Sequence, residues 1–391
     1  MKILFCTALE PTKANGATIY TIRILRALQS LGFDIKVLVL QFYTTSSPLP
    51  IREWVPELRK LQDTGITFRV FPTKQRFDLF ALAYVRLFWD LICSLRDIDV
   101  FAFRLVFFQP IPLVIKLVCQ SIKTLWFHDG IIEEVYFVNK DLKHLILQKI
   151  FHLFEKYGSR FVDWEFPVSK KMLEYSHQKG ICGRKGSVVL PCVVELDKFY
   201  LRPIPKKLSN DSKDYVVIGF AGSLAPWHGF ENACKFVQFI GKFINVRLHV
   251  LTSETEKAKN ISAQYLLEAT IEWTNHDNMP SIMDNWDFAL APQKSGLITR
   301  VSSPLKVAEA LSKGIPLIIA PEVGDFSEIV NSQGVGVVFD PDNHDEWGKS
   351  VLKIKEIISD YHTISLKARK LAEEFYSWDS LPQKIAQVLR G

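Results

Sequence analysis

The stretch Ser302-Ser303-Pro304-Leu305-Lys306-Val307-Ala308-Glu309-Ala310-Leu311-Ser312-Lys313-Gly314-Ile315-Pro316, continued by Leu317-Ile318-Ile319-Ala320, alternates a short helix with a buried strand. Ser303 is a favourable N-cap, and Pro304 suits the first helical position, where a missing N–H costs nothing. Gly314 closes the helix. A serine-rich loop feeding a helix start offers unpaired N–H groups and the positive end of the helix dipole, a combination that suits a diphosphate. One and a half turns on, the Glu309 carboxylate is placed to accept hydrogen bonds from vicinal hydroxyls such as those of a ribose. The competing reading pairs Glu309 with Lys313 at i,i+4 on an exposed face. A second loop-to-helix junction follows at Gly324-Asp325-Phe326-Ser327-Glu328-Ile329-Val330.

Working outward, the same grammar opens each half of the chain. Residues 2–7 read as a buried strand, a loop ends in Asn15-Gly16-Ala17, a helix covers 18–31 and closes at Gly32, and a strand covers 35–40. In the second half, 215–221 is a strand, Gly222-Ser223-Leu224 a tight loop, 232–244 a helix and 246–251 a strand. Continuous apolar strands alternating with helices predict parallel sheets covered on both faces, an α/β chain. At 391 residues, two domains are expected. The polar, proline-bearing segment 201–214 is the natural linker. The expected division is 1–200, linker 201–214, 215–375, and a terminal helix within 376–391. Ligand sites of open α/β sheets favour clefts between such domains.

Composition narrows the class. With 48% apolar residues and 12% aromatic, the chain is globular. Its 6 cysteines form no C-x-x-C pair, which argues against a zinc site or a disulfide framework and fits a reduced cytoplasmic setting. The N-terminal apolar run is too short for a signal peptide, and no run of about 18 uncharged apolar residues predicts a membrane span. Residues 1–200 hold 27 Lys and Arg against 19 Asp and Glu, and residues 201–391 hold 21 against 23. A basic first half attracts anionic headgroups or a pyrophosphate-bearing acceptor. Nucleic acid is not expected, because no basic run is interleaved with aromatics. Residues 77–127 are rich in Phe and Leu but interrupted by Arg86, Arg96, Arg104, Lys116 and Lys123. Residues 141–157 place Leu142, Leu145, Ile146, Ile150, Leu153 and Phe154 at helical spacing. Core packing is the first reading of these stripes and membrane apposition the second.

The 302–316 run resembles the nucleotide-sugar-binding segment of glycosyltransferase family 4, and the likeness extends over nearly the whole chain. It implies the GT-B architecture: two Rossmann-like, doubly wound parallel-sheet domains facing a central cleft. The first would be the acceptor side, the second would bind the nucleotide sugar, and the terminal helix would cross back to the first. It further implies a retaining, metal-independent glycosyltransferase of hexosyl type. A sugar would pass from an NDP-sugar, UDP-linked or other, to a hydroxyl of a saccharide or lipid-linked acceptor in surface polysaccharide or glycolipid synthesis. The donor is a substrate, so no cofactor is expected. Location is expected to be cytoplasmic, with room for peripheral contact at the inner face of an anionic membrane. Two alternatives are an inactive nucleotide-sugar-binding GT-B subunit and a GT-B sugar-nucleotide epimerase. A nicotinamide dehydrogenase fits poorly, since neither Gly loop completes G-x-G-x-x-G.

The resemblance assigns roles residue by residue. Gly16 lines the donor and acceptor side of the first domain. His128 and Asp129, after the apolar run Leu125-Trp126-Phe127, are the catalytic candidates near acceptor and donor sugar. Gly222, Ser223 and His228 stand where the family has Gly, Arg or Ser, and Lys around the diphosphate, so a hydroxyl and a titratable ring replace two fixed cations. Arg300, Ser302, Ser303, Lys306 and Glu309 complete the donor set. The loop Trp273-Thr274-Asn275-His276-Asp277-Asn278-Met279-Pro280 matches the nucleobase cradle. The family signature has two glutamates separated by seven residues; Glu309 fits the second, and the first position holds Val301. Asp97-Ile98-Asp99 and Asp340-Pro341-Asp342 match D-x-D, and neither is read as a metal site.

Overall fold

A computed structural model describes residues 1–9, 15–42, 53–73, 77–105, 108–131, 142–203 and 215–390. Most of the expected linker, 204–214, lies outside the described residues. The chain divides into two compact units, Met1–Pro191 with Asp379–Gly391, and Cys192–Trp378.

The first unit runs β1 (Lys2–Leu9), α1 (Gly16–Ser30), β2 (Asp34–Phe42), α2 (Pro56–Asp63), β3 (Thr67–Thr73), α3 (Phe77–Ser94), β4 (Val100–Arg104), α4 (Pro110–Val118), β5 (Lys123–His128), α5 (Leu142–Gly158), β6 (Trp164–Pro167), α6 (Lys170–Gln178) and β7 (Gly186–Ser187). Its parallel sheet has the order β3-β2-β1-β4-β5-β6-β7. Ile3 pairs in register with both Ile35 and Val100. From Ile3 to Leu9 every residue of β1 is buried, as a strand covered on both faces requires.

The second unit runs β8 (Val216–Ala221), α7 (Phe230–Ile240), β9 (Val246–Leu251), α8 (Thr255–Gln264), β10 (Ala269–Glu272), α9 (Met279–Met283), β11 (Phe288–Ala291), α10 (Leu297–Val301), α11 (Leu305–Ser312), β12 (Leu317–Ile319), α12 (Phe326–Gln333), β13 (Gly336–Val338), α13 (Trp347–Ser359) and α14 (Tyr361–Phe375). The order is β10-β9-β8-β11-β12-β13, again parallel. Alternate side chains of each strand feed different cores. Val217, Ala289 and Leu317 pack beneath α11 and α14, while Ile218, Phe288 and Ile318 pack beneath α7 and α13. Strand order reverses between β8 and β11, the place where open α/β sheets put ligands beyond their carboxyl ends. The terminal helix α15 (Ser380–Arg390) belongs to the first unit and packs on α1.

Local differences from the sequence reading have physical causes. α1 starts at Gly16 because Asn15 caps it, its side chain accepting the Thr18 N–H at 2.9 Å. α7 spans Phe230–Ile240 because Gly229 caps it in a left-handed conformation and the chain tightens into turns after Ile240. Core packing does not hold along α5, where Leu145, Ile146, Ile150, Leu153 and Phe154 are exposed. The helix turns Glu155 inward instead, toward the charge of His128. Among the described residues no helix is long and apolar enough to cross a membrane.

Candidate functional site

In the second unit, the chain leaves β8 through Gly222 (φ 138°), whose N–H donates to the Leu251 carbonyl at 3.0 Å. Ser223 is exposed, and the Leu224 N–H donates to Glu254. A single turn, Pro226–His228, precedes Gly229. A side chain at Gly229 is excluded, since its φ is 67° and a Cβ there would collide with the Pro292 carbonyl beyond β11. The loops of β8 and β11, the two strands at the reversal, are thereby locked together.

Lys306, the second residue of α11, extends beneath this loop. Its Nζ lies 4.7 Å from the Phe220 ring centroid, and a Cβ on Gly222 would sit 3.7 Å from it. Among the described residues the buried Nζ has no hydrogen-bond partner, and neither does the buried Nδ1 of His228. Burial pushes the Lys306 ammonium down to about 8. Burial first, and the charge of Lys306 second, push His228 down to about 3, so its ring is neutral at physiological pH. Buried polar atoms are almost always paired, and an unmatched buried cation is costly. Beside Gly222, Lys306 and His228 thus leave a buried cation and a buried ring nitrogen without partners among the described residues, an arrangement that could take an anion.

α11 begins one residue later than its sequence suggests. Pro304 is the N-cap and no side chain caps the helix, because Ser303 Oγ accepts the Cys192 N–H at 3.1 Å. The Ser302 hydroxyl donates to the Thr299 carbonyl at 2.8 Å. Gly324 brings the second loop-to-helix junction against Ser302, and a Cβ there would strike the Ser302 carbonyl. The first-turn N–H groups of α11 are thus placed by backbone packing, with both serine hydroxyls engaged inside the unit. Arg300 stays at the surface, ion-paired to Glu322 at 3.1 Å.

Glu309 is buried, with 2% of its surface exposed, so the exposed pairing with Lys313 does not form. Lys313 pairs with Asp284 at 2.6 Å. The Glu309 carboxylate meets His276 Nε2 at 2.8 Å, and His276 Nδ1 meets Lys198 Nζ at 3.1 Å. An ammonium only donates, so Nδ1 accepts and Nε2 carries the proton given to Glu309. Lys198 is held in turn by Asp277 at 2.6 Å. His276 lies in the loop matched to the nucleobase cradle; nothing in its spacing marked it as the residue that orients Glu309.

In the first unit, His128 ends β5 with its ring stacked on Trp126, centroids 4.0 Å apart. Nδ1 lies 2.8 Å from Glu165 Oε1, and Nε2 3.5 Å from Glu155 Oε1. Burial by itself depresses the imidazolium. The hydrogen bonds and charges of Glu155 and Glu165 outweigh it and raise His128 to about 9. The ring is 1% exposed, an enclosed imidazolium between two carboxylates. Asp129, next along, pairs through Oδ2 with Arg104, and its buried Oδ1 has no partner among the described residues. Arg104 also donates to the Ala17 carbonyl at 2.9 Å and to Thr21 Oγ1, which ties Asp129 to the start of α1 at Gly16. A side chain at Gly16 itself would meet nothing within 4 Å. Arg104 was legible only as a charge ending the apolar run Val100-Phe101-Ala102-Phe103. Of the D-x-D matches, Asp99 accepts the Lys2 N–H at 2.7 Å, and Asp340 accepts the Asp342 N–H at 2.9 Å within its own turn.

Residues 203–389 match the family "Glycosyl transferases group 1", just under half of the chain. No curated protein matches the chain. In fold it is similar to sucrose-phosphate synthase from Thermosynechococcus elongatus, with a TM-score of 0.74 at 14% identity over 100% of this chain and 98% of that one. It is similar also to HepE of Anabaena in complex with UDP-glucose, at 0.70 and 16% over 100% and 99%. A third similar structure is WaaG, a glycosyltransferase involved in lipopolysaccharide biosynthesis, at 0.69 and 12% over 100% of both chains. At these identities the likeness establishes the fold. The chain thus has the GT-B fold, two parallel-sheet α/β units, and its residues 203–389 are similar to the glycosyl transferases group 1 family.

Proposed function

We propose that this protein is a glycosyltransferase that takes a sugar from a nucleoside diphosphate sugar and passes it to a hydroxyl of a saccharide or lipid-linked acceptor. The observation that carries this is the buried Lys306 Nζ and His228 Nδ1 beside Gly222 at the β8–β11 reversal, without partners among the described residues, inside the segment that matches the group 1 family. HepE, which shares the fold, binds UDP-glucose, and a uridine diphosphate sugar is our first choice of donor.

The diphosphate sits on Lys306, on the Ser223 N–H between the engaged N–H groups of Gly222 and Leu224, and on the first turn of α11. The neutral His228 ring donates or accepts there without adding charge. Glu309, oriented by His276, takes the ribose hydroxyls. As the bond from the anomeric carbon to the diphosphate oxygen breaks, charge grows on that oxygen, and the Lys306 ammonium and N–H groups stabilise it. These groups do the work that a metal ion performs in other transferases, so the reaction proceeds without one. Asp129 Oδ1, an acceptor with no partner among the described residues, is the candidate to receive a hydrogen bond from the acceptor hydroxyl. His128 acts through its neighbours, as a positioning group for the tip of β5. Retention at the anomeric carbon, a cytoplasmic location and a role in surface polysaccharide or glycolipid synthesis follow from the family resemblance.

The test is incubation with UDP- and GDP-sugars, with and without lipid-linked saccharide, while following nucleotide release and sugar products. Acceptor-dependent release of nucleoside diphosphate is expected. Binding without release under every condition identifies a nucleotide-sugar-binding subunit. An altered sugar on intact donor, formed without acceptor, identifies an epimerase.

A further inference from the structure

The exposed side of α5 is inverted for a solvated helix. A surface helix ordinarily turns its apolar stripe inward and its polar stripe out. Here Glu155 faces inward, and Ile146, Ile150, Leu153 and Tyr157, spaced i, i+4, i+7 and i+11, are 37–50% exposed. Lys149 and Lys156 run along one edge of this row by helical geometry, and Arg160, in the turn just past the helix end, lies 5.1 Å from the Tyr157 ring centroid. On the other edge Phe154 turns into an apolar groove shared with α3 and α4. Tyr84, Phe88, Pro110, Val114 and Phe151 line it, and its volume is about 460 Å³. The adjoining helices continue the exposure through Trp89 on α3 and Leu117 on α4, 69% and 77% exposed.

Charge selects the occupant. Arg86, Lys149, Lys156 and Arg160 have no carboxylate partner among the described residues. The acids of these helices whose side chains are described are engaged elsewhere, Asp90 with Arg69 at 2.6 Å and Glu155 with His128. An apolar row whose described edge is cationic matches the boundary of an anionic bilayer, where acyl chains lie just beneath phosphates. A second copy fits worse, because an isologous contact sets the same patch against itself and opposes like charges.

We propose that the α3–α4–α5 face of the first unit docks on an anionic lipid bilayer. The apolar row of α5 enters the headgroup boundary, and Lys149, Lys156 and Arg160 meet lipid phosphates. The docking stands independently of the sugar chemistry.

Sedimentation of the full chain with phosphatidylcholine vesicles, with and without phosphatidylglycerol, tests it. Binding to the anionic vesicles is expected to exceed binding to the neutral ones by about ten-fold or more and to fall with added salt. It is expected to drop to the neutral-vesicle level both in Ile146→Gln/Ile150→Gln/Leu153→Gln and in Lys149→Glu/Lys156→Glu/Arg160→Glu. Should the apolar variant misfold on a thermal melt, the charge reversal decides alone. Equal binding by folded variants, no preference for phosphatidylglycerol, or a concentration-dependent dimer abolished by the same substitutions overturns it. Nucleotide-induced thermal shift, measured in parallel, reports on the donor site and is expected to be unchanged.

Discussion

Lys306 sets the clearest residue-scale expectation, because a buried ammonium with no partner among the described residues costs stability. Replacing it by Met removes both the anion's partner and the buried charge. Affinity for UDP or GDP by calorimetry is expected to fall by about 1.5–3 kcal/mol, the worth of a charged hydrogen bond. Resistance to denaturant is expected to hold or rise. A residue that merely packs would leave nucleotide affinity unchanged. The pH dependence has a fixed sign. Folding lowers the Lys306 pKa from 10.5 to about 8, so between these values the unfolded chain holds more protons and stability rises with pH. Nucleotide affinity weakens over the same window as the ammonium discharges. Lys306→Met is expected to flatten both slopes.

At the scale of elements, one of the charged clamps of the first unit joins three of them: β5 gives His128, β6 gives Glu165 and α5 gives Glu155. Ser176 and Ser187 hold the Glu165 oxygens at 2.7 and 2.8 Å. Folding raises His128 from 6.5 to about 9, so its stabilisation is complete below pH 6.5 and is lost as pH climbs through 9. His128→Gln removes the cation and leaves two buried carboxylates facing a neutral amide. A loss of about 3–5 kcal/mol by urea titration is expected near neutrality, the usual cost of breaking a buried ion pair, and the slope above pH 6.5 should vanish. An unchanged melt would sink the clamp.

At the scale of the molecule, the terminal helix belongs to a unit that is otherwise built from the first half of the chain. Leu381, Ile385, Val388 and Leu389 are buried there, each worth about 1.5–3 kcal/mol against exposure. Deleting residues 379–391 is expected to lower the unfolding transition of the first unit and to leave that of Cys192–Trp378 in place. Calorimetry resolves this, since two-unit chains need not melt as one. A common shift of both transitions would show that the helix supports the two equally.

The alternation of apolar strands with glycine-led loops and helices was sufficient, read residue by residue, to specify two parallel α/β sheets, because period and turn chemistry are local properties. That Lys306 and Glu309 stand on one helix, α11, was legible for the same reason. The environment of each was not. The surroundings of the Lys306 Nζ, the His276 that orients Glu309 and the two glutamates around His128 all depend on helices, strands and loops distant in sequence. The cap of α11 was misread because Ser303 spends its hydroxyl on the Cys192 backbone, 111 positions away. The helical spacing of α5 was plain in the sequence, yet which side met the core depended on where Glu155 found a cation. Local order followed from neighbours along the chain, while burial, partnership and charge state were decided by neighbours in space.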